Sequence, residues 1–562
     1  MSAILSSPAH GLTSGPAAVI GIQWQLFIYT PHTVYDGLGG TPNPTNNLVS
    51  FQVQKTFQNP VGTATFTLTA QSSNPSILWY HVPLMSLVVF QIKNDTPNSP
   101  WITRFMGYIV DIKESWGVTP TSGQRFVTLT CQDPMMGFSV PMFFPTSVMV
   151  SPPQQNLTTV EDLFKKLYFL EAQFAAGGSS LTSFLGYMVH AFSNGQNFPQ
   201  MIAPSEAFWY LISLIIPNFF NPITQLNSPY VSSPRISWKD LFTLFMIPSS
   251  ALKWSLLYPP AQSSWWQNML PWMNAPFFEV FGDVREADEL GDLSQYNASL
   301  QPISANQDTQ ASGNAHDPTN GGTNYVKYGA PGHAVQFDNA GGRFCFVYRN
   351  TPYSPKNWDS LIMTTVGDTI TQMDRHKTTS SVLNIYETID TLYLQSISTQ
   401  SSLQGNIASL LMPMVFDENS VLTYGIQNPF QAQIGSYSNH MGPNNELMLR
   451  FSLTAWAWYH HNPDFWTGTF TTRGNPALRI GQRVYVTPYE MEAYIEGITE
   501  SASVMQGSIQ PYQSTVQFSR GMNPSLKQAV YDDWNNAQQM ANNNSLLGLV
   551  QAAEGVSGLV GG

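Results

Sequence analysis

Several residue groups in this sequence could do chemistry. Glu279, Asp283, Glu286, Asp288, Glu289 and Asp292 form an acidic cluster. Two carboxylates about 5–9 Å apart would serve glycoside hydrolysis. A calcium loop would instead need alternating Asp and Asn around a fixed glycine, and that pattern is absent. The spacing favours a solvated acidic loop. His460 and His461, with Asp464 nearby, are metal-capable. Adjacent strand residues point to opposite faces, so the two histidines do not readily share an ion. His316, Asp317 and His333 lie in a polar stretch with no ligand spacing. Trp24, Trp79, Trp101, Trp116 and Trp254 could form a sugar platform, but their scatter fits core packing better, with a subunit interface next.

The common catalytic signatures do not occur. The sequence has no GxSxG, HExxH, GxxxxGK[ST] or CxxC, and Gly37-Leu38-Gly39 meets Pro42 where a dinucleotide loop needs glycine. We therefore assign no catalytic, cofactor or metal residue from sequence. Cys131 and Cys345 allow one disulfide at most and read as buried thiols.

The elements that would position these residues follow from composition and period. The chain has 562 residues, a prior of roughly three or four domains. Only 10% of residues are charged, 13% are aromatic, and the net charge is −12. That composition excludes a disordered chain and a basic nucleic-acid binder. Surfaces so poor in charge suit a subunit buried in an assembly. No secretory leader is expected at the N-terminus, and no apolar run approaches the roughly 18 residues of a membrane helix.

The expected fold is mainly β with an α-containing middle domain. Two antiparallel, barrel-like β domains flank that middle domain, and a helix ends the chain. Residues 1–45 form an N-terminal extension and 46–150 the first barrel. In Val49–Phe57 the apolar residues alternate with polar ones, with Lys55 the exception. Residues 151–284 form the middle domain. There Thr158 to Glu161 and Ser237 to Asp240 read as capping boxes, the second opening a helix over Leu241–Phe245. Phe277–Phe281 reads as a buried strand. Residues 285–341 form a flexible polar insertion, 342–523 the second barrel, and 524–562 the helix and a mobile tail. In the second barrel, Ser381–Tyr386 pairs with Leu392–Ile397, and Leu447–Leu453 forms a further strand.

Three stretches carry a resemblance. The first is "GTATFTLT" (62–69), "RFMGYIVDIKES" (104–115) and "GQRFVTLTCQDP" (123–134). The second is "FFEVFGDV" (277–284) with "GRFCFVYRNTP" (342–352). The third and most specific is "GTFTTRGNPALRIGQRVYV" (468–486), "EAYIEGITESAS" (492–503) and "YQSTVQFSRG" (512–521). Their order resembles the trimeric baseplate-hub proteins of tailed bacteriophages, which are related to the hub part of type VI secretion spikes. The resemblance gives the turn positions of the second barrel as Gly474, Pro476, Arg479, Gly481, Arg520 and Gly521. Gly474 and Gly481 would supply turns, and Pro476 would preset φ. It implies a structural virion protein, not an enzyme and without cofactor. Such a hub joins the hexameric tail tube to the central spike or tail tip and lines part of the DNA ejection channel. The implied partners are two further copies in a homotrimer, tail tube protein, spike or tip protein, tape measure protein and other baseplate proteins. DNA would pass without sequence-specific binding. The location implied is the virion tail, after assembly in the host cytoplasm. A tail-associated peptidoglycan hydrolase or peptidase, or a carbohydrate-binding receptor protein, are the alternatives.

Overall fold

The computed structural model describes residues 3–6, 22–29, 48–69, 82, 84–94, 99–119, 122–139, 201–202, 242–246, 254–255, 266, 278–285, 343–350, 352, 358–359, 361–367, 369–380, 382, 384–390, 414–416, 418–427, 430–434, 464–505, 508–528 and 532. The first seven strands are β1 (Ala3–Ser6), β2 (Ile22–Tyr29), β3 (Leu48–Thr56), β4 (Thr63–Thr69), β5 (Leu87–Asn94), β6 (Ile102–Thr119) and β7 (Ser122–Gln132). Shorter strands follow: β8 (Met201–Ile202), β9 (Phe242–Met246) and β10 (Trp254–Ser255). Next come β11 (Phe278–Arg285), β12 (Arg343–Asn350), β13 (Met363–Val366), β14 (Ile370–His376), β15 (Ile385–Asp390), β16 (Met414–Phe416) and β17 (Phe430–Ile434). The last four are β18 (Trp466–Arg473), β19 (Arg483–Val486), β20 (Met491–Met505) and β21 (Ser508–Met522).

Thirteen strands form one sheet. Its main path runs β1-β2-β5-β6-β7-β4-β3-β20-β21-β18-β14, and β19 joins β20 to β13. The protein is thus mainly β, but the two β blocks are not separate closed barrels among the described residues. They join where β3 pairs antiparallel with β20, Ser50↔Ser503 through Thr56↔Gly497. Each block therefore satisfies one of its open edges with the other. β2 lies between β1 and β5, so part of the N-terminal extension is built into this sheet.

Period-two sequence sets the first core. Phe51 and Val53 of β3, Ala64, Phe66 and Leu68 of β4, and Val127, Leu129 and Cys131 of β7 all face inward. A register shift after Leu48 puts Leu48 rather than Val49 into this core. Trp24 packs edge-on against Phe51, so it is a core residue rather than part of an exposed platform. β5 is buried on both faces from Leu87 to Ile92, which suits its almost unbroken apolar run.

The second core gathers Phe281, Cys345, Trp358, Phe470, Val484, Tyr494, Val516 and Phe518. Cys131 and Cys345 thus sit in different cores, and no disulfide joins them. β11 pairs antiparallel with β12 from Phe278↔Asn350 to Arg285↔Arg343. β9 adds to β12 in parallel. This corrects the helix expected over Leu241–Phe245. The seven residues between Asp240 and Pro248 are too few for a stable helix, and pairing with β12 satisfies the backbone of Phe242–Met246 instead. β15 pairs with β16 and β17, and Leu392–Ile397, the partner expected for Ser381–Tyr386, lies outside the described residues. So do the helix expected after Thr158, the strand at Leu447–Leu453, the insertion from 286, and the chain after Gln528 apart from Asp532.

Candidate functional site

The polar centre of the molecule is a buried seam of charge where the two cores meet. Eleven charged residues are buried among the described ones: Lys55, Arg104, Asp133, Glu279, Asp283, Arg285, Arg479, Arg483, Glu492, Glu500 and Arg520. In a chain with 10% charge, so many interior charges demand partners.

Strand geometry explains how the acids enter. In β11 the alternation places Glu279, Phe281, Asp283 and Arg285 on one face. Phe281 lies in the second core, and the charged residues are carried inside with it. The solvated loop expected here is therefore wrong for Glu279 and Asp283. Glu286, Asp288, Glu289 and Asp292 lie outside the described residues.

Lys55, the break in the β3 pattern, is ion-paired with Asp283. Arg285 Nε lies 3.1 Å from the other Asp283 oxygen. Burial alone would raise the Asp283 carboxyl, but Lys55, Arg285 and Arg479 outweigh it and hold the group well below the usual carboxylate range. Asp133 lies beside Lys55 and accepts from the N–H of Gly62 (2.9 Å) and of Met135 (3.0 Å). Burial pushes its carboxyl up to about 8, against the opposing pull of Lys55 and the two N–H groups. A side chain at Gly62 would strike Asp133, so glycine is required by this approach.

The second half of the seam is built on the turn after β18. Arg104 of β6 donates to Glu500 of β20 (2.8 Å) and to the carbonyls of Pro476 (2.7 Å) and Leu478 (3.0 Å). Arg285 donates to the Ile480 carbonyl (3.0 Å). Arg479 reaches back to the Thr103 carbonyl (3.4 Å). Tyr512 donates to the other Glu500 oxygen (2.5 Å). Burial, then Glu500, pushes that phenol well above its ordinary value.

The six turn positions named from sequence fall on or beside this seam. Gly474 lies against the Tyr512 ring, where a Cβ would overlap it. Pro476 and Arg479 belong to the clasped turn. Gly481 has φ +76°, the left-handed region. Arg520 also has positive φ (56°), and its guanidinium lies 3.9 Å from the Tyr494 ring centre. Tyr494 donates to Glu279 (2.5 Å). Gly521 packs against Trp466 and Met491. Sequence reading missed Arg104, Arg483, Glu492 and Glu500. Arg483 and Glu492 form an ion pair that also accepts from Trp358 Nε1 (2.7 Å).

Chemically, the arrangement neutralises charge. Glu279 and Asp283 are four strand residues apart, roughly 13 Å along the backbone, and each is engaged by cations or donors. Among the described residues, no three His, Cys, Asp or Glu side chains group so as to hold a metal. No described helix is long and apolar enough to cross a membrane. Asp464 is exposed, while His316, Asp317, His333, His460 and His461 lie outside the described residues.

No family profile and no curated protein matches the chain. Its structural neighbours include a tail protein from Neisseria meningitidis MC58 (10% identity, TM-score 0.39), covering 88% of this chain and 96% of that one. Another is the 43 kDa tail protein of prophage MuSo2 from Shewanella oneidensis (8% identity, TM-score 0.41), covering 89% and 98%. A third is a chain of the Francisella PdpA-VgrG complex (7% identity, TM-score 0.29), covering 84% of this chain and 54% of that one.

Proposed function

We propose that the protein is a structural subunit of a bacteriophage tail. In this reading it is the baseplate hub that joins the tail tube to the central spike or tip as a homotrimer. The observation that carries the reading is the ordered resemblance of residues 62–134, 277–352 and 468–521 to hub proteins. Two further facts support it. The three stretches lie on strands that converge on one seam, so they act as a single framework. The charge-poor composition suits a chain that spends its life in contact with other subunits.

The division into residues 1–45, 46–150, 151–284, 285–341, 342–523 and 524–562 belongs to this proposal, with two joined β blocks in place of two separate barrels. So do Gly474, Pro476, Arg479, Gly481, Arg520 and Gly521 as the frame of the second β block. In this role the seam residues are structural, the chain is not an enzyme, and its partners are tube, spike, tape measure and other baseplate proteins. The net charge of −12 would keep a channel from gripping DNA.

Negative-stain imaging of the purified chain tests this reading. Threefold rings with a central opening are expected. Isolated compact particles, together with clearing on a peptidoglycan zymogram or retention on a glycan array, would replace it with the hydrolase or receptor alternative.

A further inference from the structure

Where the two β blocks join, the face of the sheet turned away from the cores has a composition of its own. Across five adjacent strands the register lines up Thr130 of β7, Thr65 of β4, Gln52 of β3, Ser501 of β20 and Gln513 of β21. The next row runs through Thr63, Gln54, Thr499, Thr515 and, on β18, Thr471. A third passes through Thr128, Thr67, Ser50 and Ser503. Each of these positions flanks a buried one in its own strand, so its side chain points outward. Gln52 and Gln54 are exposed and the others half-buried. All are Ser, Thr or Gln. Some satisfy one another: Thr471 and Thr515 share a hydrogen bond (3.0 Å), and Gln513 donates to Ser501 (3.4 Å).

Charge stands at the rims of this face. The first row ends at Asp111 of β6 and Arg473 of β18, both exposed, and the third meets Lys113 of β6. The inner strands are not without charge. β3 carries Lys55 and β20 carries Glu500, and both point into the buried seam. These strands therefore hold ions inside and neutral groups outside, the reverse of the usual order.

An ordinary water-facing surface is about 25–35% charged. A protein contact centres on aromatic, Met and Arg side chains and is poor in Ser. This face fits neither description. It fits a wall past which a polyanion must move. Lysines there would hold the phosphates, because each one neutralised releases counterions. Carboxylates would repel them. Hydroxyls and amides exchange one hydrogen bond with water for another, at small net gain.

We infer that this face lines the channel and that duplex DNA moves past it. The inference rests on the hub reading and adds which residues face the opening.

Full-length Gln52→Cys and Gln54→Cys test it, since Cys131 and Cys345 are buried. Each native variant is labelled with a maleimide gold cluster and imaged in negative stain. Gold is expected over the central opening of threefold rings, in at least tenfold excess over the perimeter. Gold on the perimeter overturns the inference and leaves the ring reading standing. A thiol that stays unlabelled in rings but reacts in denatured protein places the face against another subunit, which overturns the inference as well. Rings of Gln52→Lys/Gln54→Lys should retain a linear duplex at low salt at least tenfold more strongly than wild type, and equal retention contradicts the inference. A wild type that forms no rings overturns the hub reading itself.

Discussion

The two cores solve the same packing problem with different materials. In the first, Phe51, Phe66, Phe90 and Phe105 pack in tilted and edge-on ring contacts among aliphatic side chains. Its polar face uses a neutral chain, Gln25 to Gln91 (2.6 Å) and Gln91 to Thr103 (3.3 Å). The second core is threaded by ions: Glu279 with Tyr494, Glu492 with Arg483, and Arg520 over Tyr494. Between them, Lys55–Asp283 and Arg104–Glu500 fasten one to the other across sequence separations of 228 and 396 residues. An apolar core tolerates small shifts of its parts, but a buried ion pair requires its partners in place. The contrast implies that the second core and the seam carry the registry of the whole sheet, while the first supplies bulk burial.

The largest expected effect is at Asp283. Replacing it with alanine leaves Lys55, Arg285 and Arg479 without their shared counter-charge. A loss of about 3–5 kcal/mol is expected in denaturant unfolding. Phe66→Ala should cost a comparable amount, about 3–5 kcal/mol, through a cavity. Its loss should not vary with pH, whereas the Asp283→Ala loss should shrink as pH falls below about 4, which separates the two cores experimentally. A pH-dependent Phe66→Ala loss would contradict the contrast.

Gly474→Ala should cost about 1–3 kcal/mol, because the new methyl group displaces the Tyr512 ring beneath the Glu500 bond. A neutral result would show that the clasped turn adapts freely.

The pH response can be signed. The folded Asp133 carboxyl is raised to about 8 from 3.8, so its contribution is full below pH 4 and is lost as pH rises through about 8. Asp283 is lowered, so its contribution is present above pH 4 and is lost as pH falls into the acid range. Asp133→Asn should flatten the decline of stability between pH 4 and 8 and leave acid unfolding unchanged. Unfolding curves at pH 3, 5, 7 and 8.5 check both arms.

The smallest effect is expected at Glu490, which closes the turn after β19 with φ 45° and ψ 46°. Glu490→Gly should raise stability by up to about 1 kcal/mol by relieving left-handed strain. A loss would mean that the side chain supports the turn.

Much of the sheet was legible in sequence. Alternation located β3, because it buries one face, and the stretches that carry the resemblance fall on β4, β6, β7, β11, β12 and β18 to β21. β9 was not legible, since a five-residue apolar run has no period long enough to separate strand from helix. The seam was misread for a different reason. Lys55 was visible as a break in a pattern, and Glu279 and Asp283 as acids beside phenylalanines. Their burial depends on partners hundreds of positions away, which no local window contains. The available clue was that Phe281 shares a strand face with both acids, so a buried Phe281 must take them inward.

The measurement that tests the account most directly is the mass of the full-length protein in solution, by light scattering behind a sizing column. A homotrimer has three times the 62.4 kDa chain mass, and that mass is expected. A chain that stays monomeric at every concentration would contradict it.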